Sequence, residues 1–416
     1  MGTNSVEGEA NHIVSIWEIN KDHLDSMHEK ISQTPKLLSK AAGKRACCIF
    51  RVPKSLMDIN DKSYQPQIVS IGPYHRGESH LQMIEEHKWR YLGSLLSRNK
   101  TIGLTLEDYL KSIQPLEKEA RECYSETIHL SPDEFLEMMV VDAFFYRDFL
   151  RLENQIPFFV LERLFEVTKM PNEESGPSLS LLALRFFNNI IQRREDIIES
   201  HNDLKGLHLL DLVRSSFIPP HQELPKRGNI PTQIIHCVSK LRRSGICLNP
   251  GKEDSFLVVK FHHGVIEMPT ITIDDFMTSF LVNCVAFEKC HNSSSKHLTT
   301  YSTFLDCLVN TAKDVEYLSD CNIIENYFGT KAEVARVINN LGKDVAFDID
   351  LCYLSKLVND VPDYYQNSWH VQWEGFKNRY FDTPWSFISA LAAFVLLLLT
   401  LTQTFYTFLD YVNPPN

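Results

Sequence analysis

Residues 131–159 read SPDEFLEMMVVDAFFYRDFLRLENQIPFF, and this stretch decides the kind of fold that the chain adopts. Its opening Ser-Pro predicts a helix start, because serine caps the first turn and proline is tolerated at the first helical position. Apolar side chains then follow almost without interruption over 135–150, which predicts a helix buried on more than one side. Since Pro157 cannot continue the helical hydrogen-bond ladder, we expect this helix to end near Glu153 and a new one to begin over 158–165.

Helical periodicity recurs on both sides of this stretch. Before it, apolar residues at three- and four-residue spacing predict helices over 80–97 and 106–124. After it, the same spacing predicts helices over 275–287, 304–318 and 333–341. The sequence therefore predicts a mainly α, multi-helix globular domain.

A short β-type stretch interrupts the helical pattern at 256–273. Its runs Phe-Leu-Val-Val-Lys-Phe and Ile-Thr-Ile are rich in β-branched and aromatic residues, which favour strands. Because His263 and Gly264 between the runs suit a turn, we predict a small β-hairpin within the helical domain.

Composition divides the chain into four parts. We predict, in order, a loosely ordered N-terminal arm at 1–45, a helical domain at 46–384, a transmembrane helix at 385–409 and a short tail at 410–416. The arm carries a short amphipathic pattern around 13–24. A proline-rich stretch at 219–231 marks a candidate internal boundary of the helical domain.

The segment 385–409 has the composition of a membrane-spanning helix. No charged residue lies between Asp382 and Asp410, and about 20 apolar residues suffice to span a hydrocarbon core roughly 30 Å thick. Trp385 near one end and Tyr406 near the other suit the two membrane–water interfaces. We therefore expect this segment to contact membrane lipid, with a buried core helix as the alternative.

Flanking charges predict the orientation of this helix. Lys377 and Arg379 precede it and nothing basic follows Asp410, so the positive-inside rule places the large domain in the cytosol. The membrane would be the plasma membrane or an endomembrane. The glycosylation sequons at Asn99 and Asn292 would be used only if the domain faced the opposite side.

Charge and cysteine usage argue against several classes of protein. Lys and Arg number 42 against 53 Asp and Glu, a net charge of −11, so we expect no nucleic-acid partner. The ten cysteines lack the paired spacing of a structural zinc site, and most of them are best explained as buried thiols in a reducing compartment. Neither a phosphate-binding loop nor a known catalytic motif occurs, so we predict a protein that is not an enzyme and needs no cofactor or small-molecule substrate.

The segment Gly72-Pro-Tyr-His-Arg-Gly77 carries one candidate binding site. Its backbone amides together with Arg76 could hold an anion, although a turn packed on the core explains the same residues. His75, His80 and His87 could bind a metal. However, His80 and His87 lie two helical turns apart, about 10 Å, which is too far for both to reach one ion, so no metal site is predicted.

A second candidate site lies at the predicted end of the long helix. Glu153 and Asn154 could work with Asp142 or Asp148 as acid and base, but no His or Lys is evidently poised beside them. Capping at the helix break is the simpler interpretation, because buried polar groups need partners. The alternative function is therefore an enzyme with a site near 72–77 or at Glu153 and Asn154.

Several sequence blocks resemble the plant family called domain of unknown function 247. In chain order they are Arg51-Val-Pro53, Tyr64-Gln-Pro66, Val69-Ser-Ile-Gly-Pro-Tyr-His-Arg-Gly77, Leu152-Glu-Asn-Gln-Ile-Pro-Phe-Phe159, His208-Leu-Leu-Asp-Leu212, Ile273-Asp-Asp275, Ala286-Phe-Glu288, Phe304-Leu-Asp306, Asp314-Val315 and Tyr380-Phe-Asp-Thr-Pro-Trp385. Several blocks in the same order make the resemblance specific, and it covers the chain from about residue 46 to the membrane segment.

The resemblance implies a plant protein with a helical domain and a single C-terminal membrane pass. It implies no reaction, because the family has no established activity. Some similar grass proteins are associated with self-incompatibility, which implies recognition of other proteins. We therefore expect a single-pass membrane-anchored protein that acts as an interaction or recognition module, in self-incompatibility or signalling, with an unknown protein as partner.

Overall fold

The chain is mainly helical with two small sheets, which confirms the predicted fold class. The computed structural model describes residues 20–33, 37–99, 103–144, 148, 150–169, 176–219, 235–343, 352–366 and 384–412. The helices are α1 (Lys21–Ser32), α2 (Lys54–Tyr64), α3 (Gln82–Asn99), α4 (Leu106–Ile113), α5 (Glu117–Glu122), α6 (Pro132–Ala143), α7 (Phe158–Thr168), α8 (Leu179–Ile191), α9 (Glu195–Glu199), α10 (Leu209–Ser215), α11 (Val238–Arg243), α12 (Asp275–Cys290), α13 (His297–Leu308), α14 (Ala312–Asp320), α15 (Lys331–Leu341), α16 (Ser355–Gln366) and α17 (Pro384–Val412). The strands are β1 (Cys247–Pro250), β2 (Lys260–His262), β3 (Val265–Met268), β4 (Ile271–Ile273) and β5 (Ile324–Asn326).

Helix α6 begins as predicted but ends earlier. The Ser131 hydroxyl accepts a hydrogen bond from the Glu134 N–H at 3.3 Å, and the Glu134 carboxylate accepts one from the Ser131 N–H at 2.8 Å. This capping box fixes the first turn. The helix ends at Ala143, so the predicted continuation to Glu153 is wrong. Helix α7 begins at Phe158, as predicted.

Asp148 shows why the helix does not continue to Glu153. Its backbone has a φ of 60°, in the left-handed region that ends helices. One oxygen of its carboxylate accepts the N–H groups of Gln67, Ile68 and Val69 at 3.0, 2.6 and 3.3 Å. A side chain that takes over three backbone hydrogen bonds leaves no trace in hydrophobic periodicity, which is the signal that predicted the longer helix.

Two other predicted helices each divide into two. The run over 106–124 is interrupted at Pro115, which lies in a single 3-10 turn between α4 and α5. The run over 304–318 spans the end of α13 and most of α14, and Thr311 caps the second of these helices. The predicted helices at 80–97, 275–287 and 333–341 agree with α3, α12 and α15 to within three residues.

The β-type stretch contributes to two sheets. Strands β2 and β3 form the predicted antiparallel hairpin, and its turn residues His263 and Gly264 have φ values of 49° and 81°. Strand β1 pairs in parallel with β3, giving the order β1-β3-β2. The Ile-Thr-Ile run is not part of the hairpin, because it forms β4 and pairs in parallel with β5.

One hydrophobic cluster connects most of the described chain. Its buried residues run from Cys48 to Val361 and lie on both sides of the segment 220–234. The candidate boundary at 219–231 lies outside the described residues except for its first residue. Helix α1 begins at Lys21 and has no buried residue, and most of the amphipathic pattern at 13–24 lies outside the described residues.

Helix α17 is the longest helix in the described part of the chain. It has 29 residues, roughly 43 Å at the α-helical rise. The stretch Leu391–Phe408 is long and apolar enough to cross a membrane, and none of it is buried. The structure therefore contains a helix that meets the length and composition requirements of the predicted span.

Candidate functional site

Asn154 links the two candidate segments to each other. Its side chain is fully buried, and its Oδ1 accepts a hydrogen bond from the Ile71 N–H at 2.6 Å. Its Nδ2 donates to the carbonyl oxygens of Val69 and Asp148, both at 3.1 Å. Asn154 therefore fixes the backbone that leads into 72–77, which places both segments in one polar cluster.

Gly72 lies where this cluster is most crowded. Its φ is 74°, and a Cβ at this position would lie only 2.6 Å from the carbonyl oxygen of Gln155. The Gly72 N–H donates to Asp142 Oδ2 at 2.8 Å. Glycine is required here because both the backbone conformation and the close approach exclude a side chain.

Lys88 and Asp142 form the charged part of the cluster, next to Gly72. Lys88 Nζ lies 2.7 Å from Asp142 Oδ1 and 2.6 Å from Glu85 Oε1, and it also donates to the carbonyl oxygen of Ser70. Burial raises the pKa of Asp142, although Lys88 and the Gly72 N–H act in the opposite direction. This ion pair holds the 72–77 loop against α3 and α6.

Glu153 forms a second charged group at the other side of the same loop. Its Oε1 accepts the Val52 N–H at 2.6 Å and its Oε2 accepts Arg51 Nη1 at 2.9 Å. His75 Nε2 lies 3.0 Å from Glu153 Oε2 without forming a hydrogen bond to it, and His75 Nδ1 lies 2.7 Å from Glu78 Oε1. Burial acts to raise the pKa of Glu153, but the contacts with His75, Val52 and Arg51 together lower it below its usual value.

The candidate site therefore brings basic side chains next to these carboxylates, which the sequence did not reveal. The expectation that no His or Lys is poised near these carboxylates was wrong, because His75 faces Glu153 and Lys88 faces Asp142. Each lies more than fifty residues from its partner along the chain, so only the fold brings them together. Arg51 was likewise missed as a site residue and was noted only as part of a sequence block.

The anion and metal interpretations find little support among these contacts. Arg76 reaches Glu137 Oε1 at 3.4 Å, and the Gly72 amide is already bonded to Asp142. His80 Nε2 contacts the Pro66 carbonyl oxygen at 3.3 Å, while His87 is exposed on α3. Within the described part of the chain, no three His, Cys, Asp or Glu residues are grouped so that they could hold a metal ion.

Another buried charged cluster joins α10 to α12. Arg214 Nε lies 2.8 Å from Glu288 Oε1, and its Nη1 lies 2.9 Å from Asp211 Oδ1. The other Glu288 oxygen accepts the Thr299 N–H at 2.8 Å in the first turn of α13. The signal that could have found this cluster is a charged residue inside an otherwise apolar run, as at Asp211 and Glu288.

His208 lies next to this second cluster and is held neutral. Its Nδ1 accepts the Asp211 N–H at 3.2 Å, so the proton sits on Nε2, which donates to the Cys48 carbonyl oxygen at 3.1 Å. Burial lowers the pKa of His208 to about 4. Its ring meets Phe287 edge-on at 4.9 Å. His208 therefore caps the first turn of α10 and packs within the core.

Two cavities open away from both clusters. One of about 340 Å³ lies between α3, α4 and α6, and one of about 450 Å³ lies between α3, α7 and α8. Neither cavity is lined by His75, Glu153 or Asn154. The candidate catalytic residues thus lie apart from these two openings.

The structure defines a class of protein in which buried ion pairs hold the loops of a helical domain and an apolar helix follows at the C-terminus. The chain matches DUF247, described as a plant protein of unknown function, over residues 49–146 and 143–399. It belongs to that family, which confirms the resemblance seen in the sequence blocks.

Two Arabidopsis thaliana proteins are similar along most of the chain. UPF0481 protein At3g47200 is 36% identical over 434 residues, covering 92% of this chain and 90% of its own. UPF0481 protein At3g02645 is 23% identical over 476 residues, covering 86% and 89%. No solved structure matches the chain.

Proposed function

We propose that the protein is anchored in the plasma membrane or an endomembrane by residues 385–409, and that its helical domain binds another protein at the cytosolic surface without catalysing a reaction. Helix α17 is the observation that carries this proposal. A helix of this length with exposed apolar side chains along Leu391–Phe408 would be unfavourable in water, and a bilayer removes that apolar surface from water.

The threonines of α17 support a membrane environment. Thr400, Thr402, Thr404 and Thr407 each donate a hydrogen bond to the carbonyl oxygen four residues earlier, all at 2.8 Å. Polar groups without partners are unfavourable in hydrocarbon, and these bonds satisfy the hydroxyls within the helix itself. The threonines therefore oppose insertion less than the sequence alone suggests.

A binding role is supported by an exposed apolar surface on the helical domain. Leu182, Phe186 and Ile190 follow at four-residue spacing on α8 and are 37, 39 and 50% exposed. Leu182 and Phe186 also line the 450 Å³ groove, whose lining is mostly apolar. Apolar patches of this kind mark interaction surfaces on soluble domains. The buried carboxylates, by contrast, are bonded to backbone amides and cations, which supports a structural role for them.

Recognition between cells, as in self-incompatibility, or signalling is the setting that we propose for this binding. What supports this setting is the proposed anchor, which would hold the helical domain at a membrane surface.

Membrane anchoring is tested by a matched pair of substitutions in the middle of α17. We expect the wild-type chain and Leu398→Ile to sediment with membranes and to be released only by detergent. Leu398→Arg should shift the chain towards the soluble fraction, because arginine at a helix centre opposes insertion by roughly 3 kcal/mol. Wild-type protein that stays in the supernatant without detergent would refute the anchor.

Orientation is tested by protease protection of sealed microsomes with a tag at each end. A cytosolic domain predicts that the N-terminal tag is digested, while a short C-terminal tag is protected. Asn292 supplies an internal control, because its sequon is exposed and would carry a glycan only in the lumen. A glycosidase-sensitive shift that disappears in Asn292→Gln would reverse the proposed orientation.

Binding is tested by proximity labelling in plant tissue. The control is residues 385–416 fused to the same labelling enzyme, which places the label at the membrane without the helical domain. We expect the full chain to label proteins that the control does not label. Identical labelled sets would refute the binding role while leaving the anchor intact.

A further inference from the structure

The groove between α3, α4 and α6 combines an apolar floor with an acidic rim. Its floor includes Leu92, Leu136 and Val140, which are 2, 8 and 1% exposed. Its volume of about 340 Å³ falls within the range of ordinary ligand pockets. We propose that this groove binds a cationic amphipathic helix of a partner protein. The inference rests on the proposed binding function and names the class of partner.

The charged side chains at the rim of the groove favour a partner with a positive charge. The groove is lined by three carboxylates, Glu107, Asp133 and Glu137, and by a single cation, Lys111. Lys111 is already paired with Glu107, with 2.6 Å between Nζ and Oε1. Arg76 also reaches Glu137, at 3.4 Å, so two cations face three carboxylates and one negative charge remains in excess. The groove therefore keeps a negative rim that attracts a basic ligand.

Asp133 and Glu137 strengthen this argument by their spacing. They lie four residues apart on the same face of α6, where like charges repel and destabilise a helix. Within the described residues, the Asp133 carboxylate forms no ion pair or hydrogen bond. A lysine or arginine from a partner placed between the two carboxylates would remove this repulsion.

Two exposed apolar residues supply anchor points at the mouth of the groove. Trp89 on α3 is 46% exposed and Leu106 on α4 is 39% exposed. Tryptophan is enriched among the residues that dominate binding energy, and its ring also attracts cations. An apolar floor with anchors beside it fits the stripe of an amphipathic helix, in which apolar residues recur at three- and four-residue spacing. The same negative rim disfavours anionic lipid as the occupant.

The test is a binding measurement on the full-length protein in detergent micelles. The probe is a fluorescent amphipathic peptide of about 16 residues, long enough to form a helix, with a leucine stripe and a lysine and arginine face. A second peptide carries glutamate at every basic position. We expect fluorescence anisotropy to show saturable binding of the basic peptide, weakened by salt, and no binding of the acidic one.

Charge reversal locates the binding. Asp133→Lys/Glu137→Lys should weaken the affinity for the basic peptide at least about tenfold, because attraction becomes repulsion. Asp25→Lys/Glu29→Lys on the exposed helix α1 makes the same change in net charge away from the groove and should leave the affinity unchanged. Leu106→Glu at the mouth should also weaken binding. Circular dichroism melting curves of all variants verify that they are folded.

Three results would overturn the inference. The first is equal affinity for the basic and the acidic peptide. The second is an equal loss of affinity for the basic peptide in Asp133→Lys/Glu137→Lys and in Asp25→Lys/Glu29→Lys. The third is an unchanged affinity in both Asp133→Lys/Glu137→Lys and Leu106→Glu. Proximity labelling separates these failures from failure of the proposed function. If the groove variants label the same proteins as the wild type, the binding role stands and the groove is not its site.

Discussion

Lys88 and Asp142 form an ion pair in which both side chains are buried, with 2.7 Å between Nζ and Oδ1 and side-chain exposures of 1 and 2%. The pair is separated by 54 residues along the chain. Because Asp142 also accepts the Gly72 N–H, this one carboxylate connects α3, α6 and the 72–77 loop. A buried charge that loses its partner is strongly unfavourable, so the pair should behave as a unit.

We predict that Lys88→Met lowers the free energy of unfolding by about 3–5 kcal/mol, because it leaves Asp142 buried without its cation. The double variant Lys88→Met/Asp142→Asn should recover much of this loss, since the asparagine amide can still accept the Gly72 N–H. Urea unfolding of the detergent-solubilised protein, followed by circular dichroism, measures both. A double variant as unstable as the single one would contradict the prediction.

Asn154 should be more sensitive than an exposed asparagine of the same chain. Asn154→Ala removes one acceptor and one donor from three buried backbone groups and should destabilise the protein by about 2–5 kcal/mol. Asn189→Ala on the exposed face of α8 is the control and should change stability by no more than about 0.5 kcal/mol. Thermal melting compares the two variants. Similar losses for both would show that the Asn154 contacts contribute little.

Gly72 and Gly77 provide a test that separates steric clash from backbone strain. Both have positive φ values, 74° and 89°, but only at Gly72 would a Cβ meet other atoms, the nearest at 2.6 Å. We expect Gly77→Ala to destabilise by about 1–2 kcal/mol from backbone strain alone. Gly72→Ala should destabilise by clearly more than this. Equal unfolding midpoints for the two variants would mean that the contact with Gln155 relaxes easily.

His208 should make stability fall with decreasing pH. Burial lowers its pKa from 6.5 to about 4, so the folded state favours the neutral ring. Its stabilising contribution is complete above pH 6.5 and is lost as pH falls from there towards 4, by up to about 1.4 kcal/mol per pH unit. His297, whose pKa burial also lowers to about 4, acts in the same range.

The measurement for His208 is the unfolding free energy at several pH values between 6.5 and about 5, where most carboxylates remain ionised. His208→Gln should reduce the slope by the contribution of one proton, and His208→Gln/His297→Gln should reduce it further. A wild-type slope that survives in the double variant would show that other groups cause it.

The sequence predicted the fold class because most of the fold depends on local patterns. Apolar spacing identified α3, α12 and α15, the Ser-Pro start identified α6, and the His263-Gly264 turn identified the hairpin. The errors arose where distant residues replace local hydrogen bonds. Asp148 bonds to the backbone of 67–69 where the long helix was predicted to continue, and the Ile-Thr-Ile run pairs with β5, about fifty residues away, rather than with the hairpin.

The candidate site was predictable only in part, for the same reason. Glu153, Asn154 and the 72–77 loop could be named because they break an apolar or helical pattern. Their partners Arg51, His75 and Lys88 lie 102, 78 and 54 residues from the carboxylates that they face, and no single-sequence pattern connects such positions. Whether such a polar residue has a catalytic or a structural role depends on these distant partners.

Asn283 connects parts of the chain that are made at very different times. Its amide donates to the Ser63 carbonyl oxygen at 2.8 Å and its oxygen accepts the Leu152 N–H at 2.8 Å, across 220 and 131 residues. The early part of the chain therefore cannot complete its native contacts until α12 has been translated. Since the core also includes Val361, the helical domain cannot complete its core until nearly all of the chain before α17 has been made. An incomplete chain of this kind leaves apolar core surface exposed to water through most of its synthesis, and α17 is made only after the helical domain that precedes it.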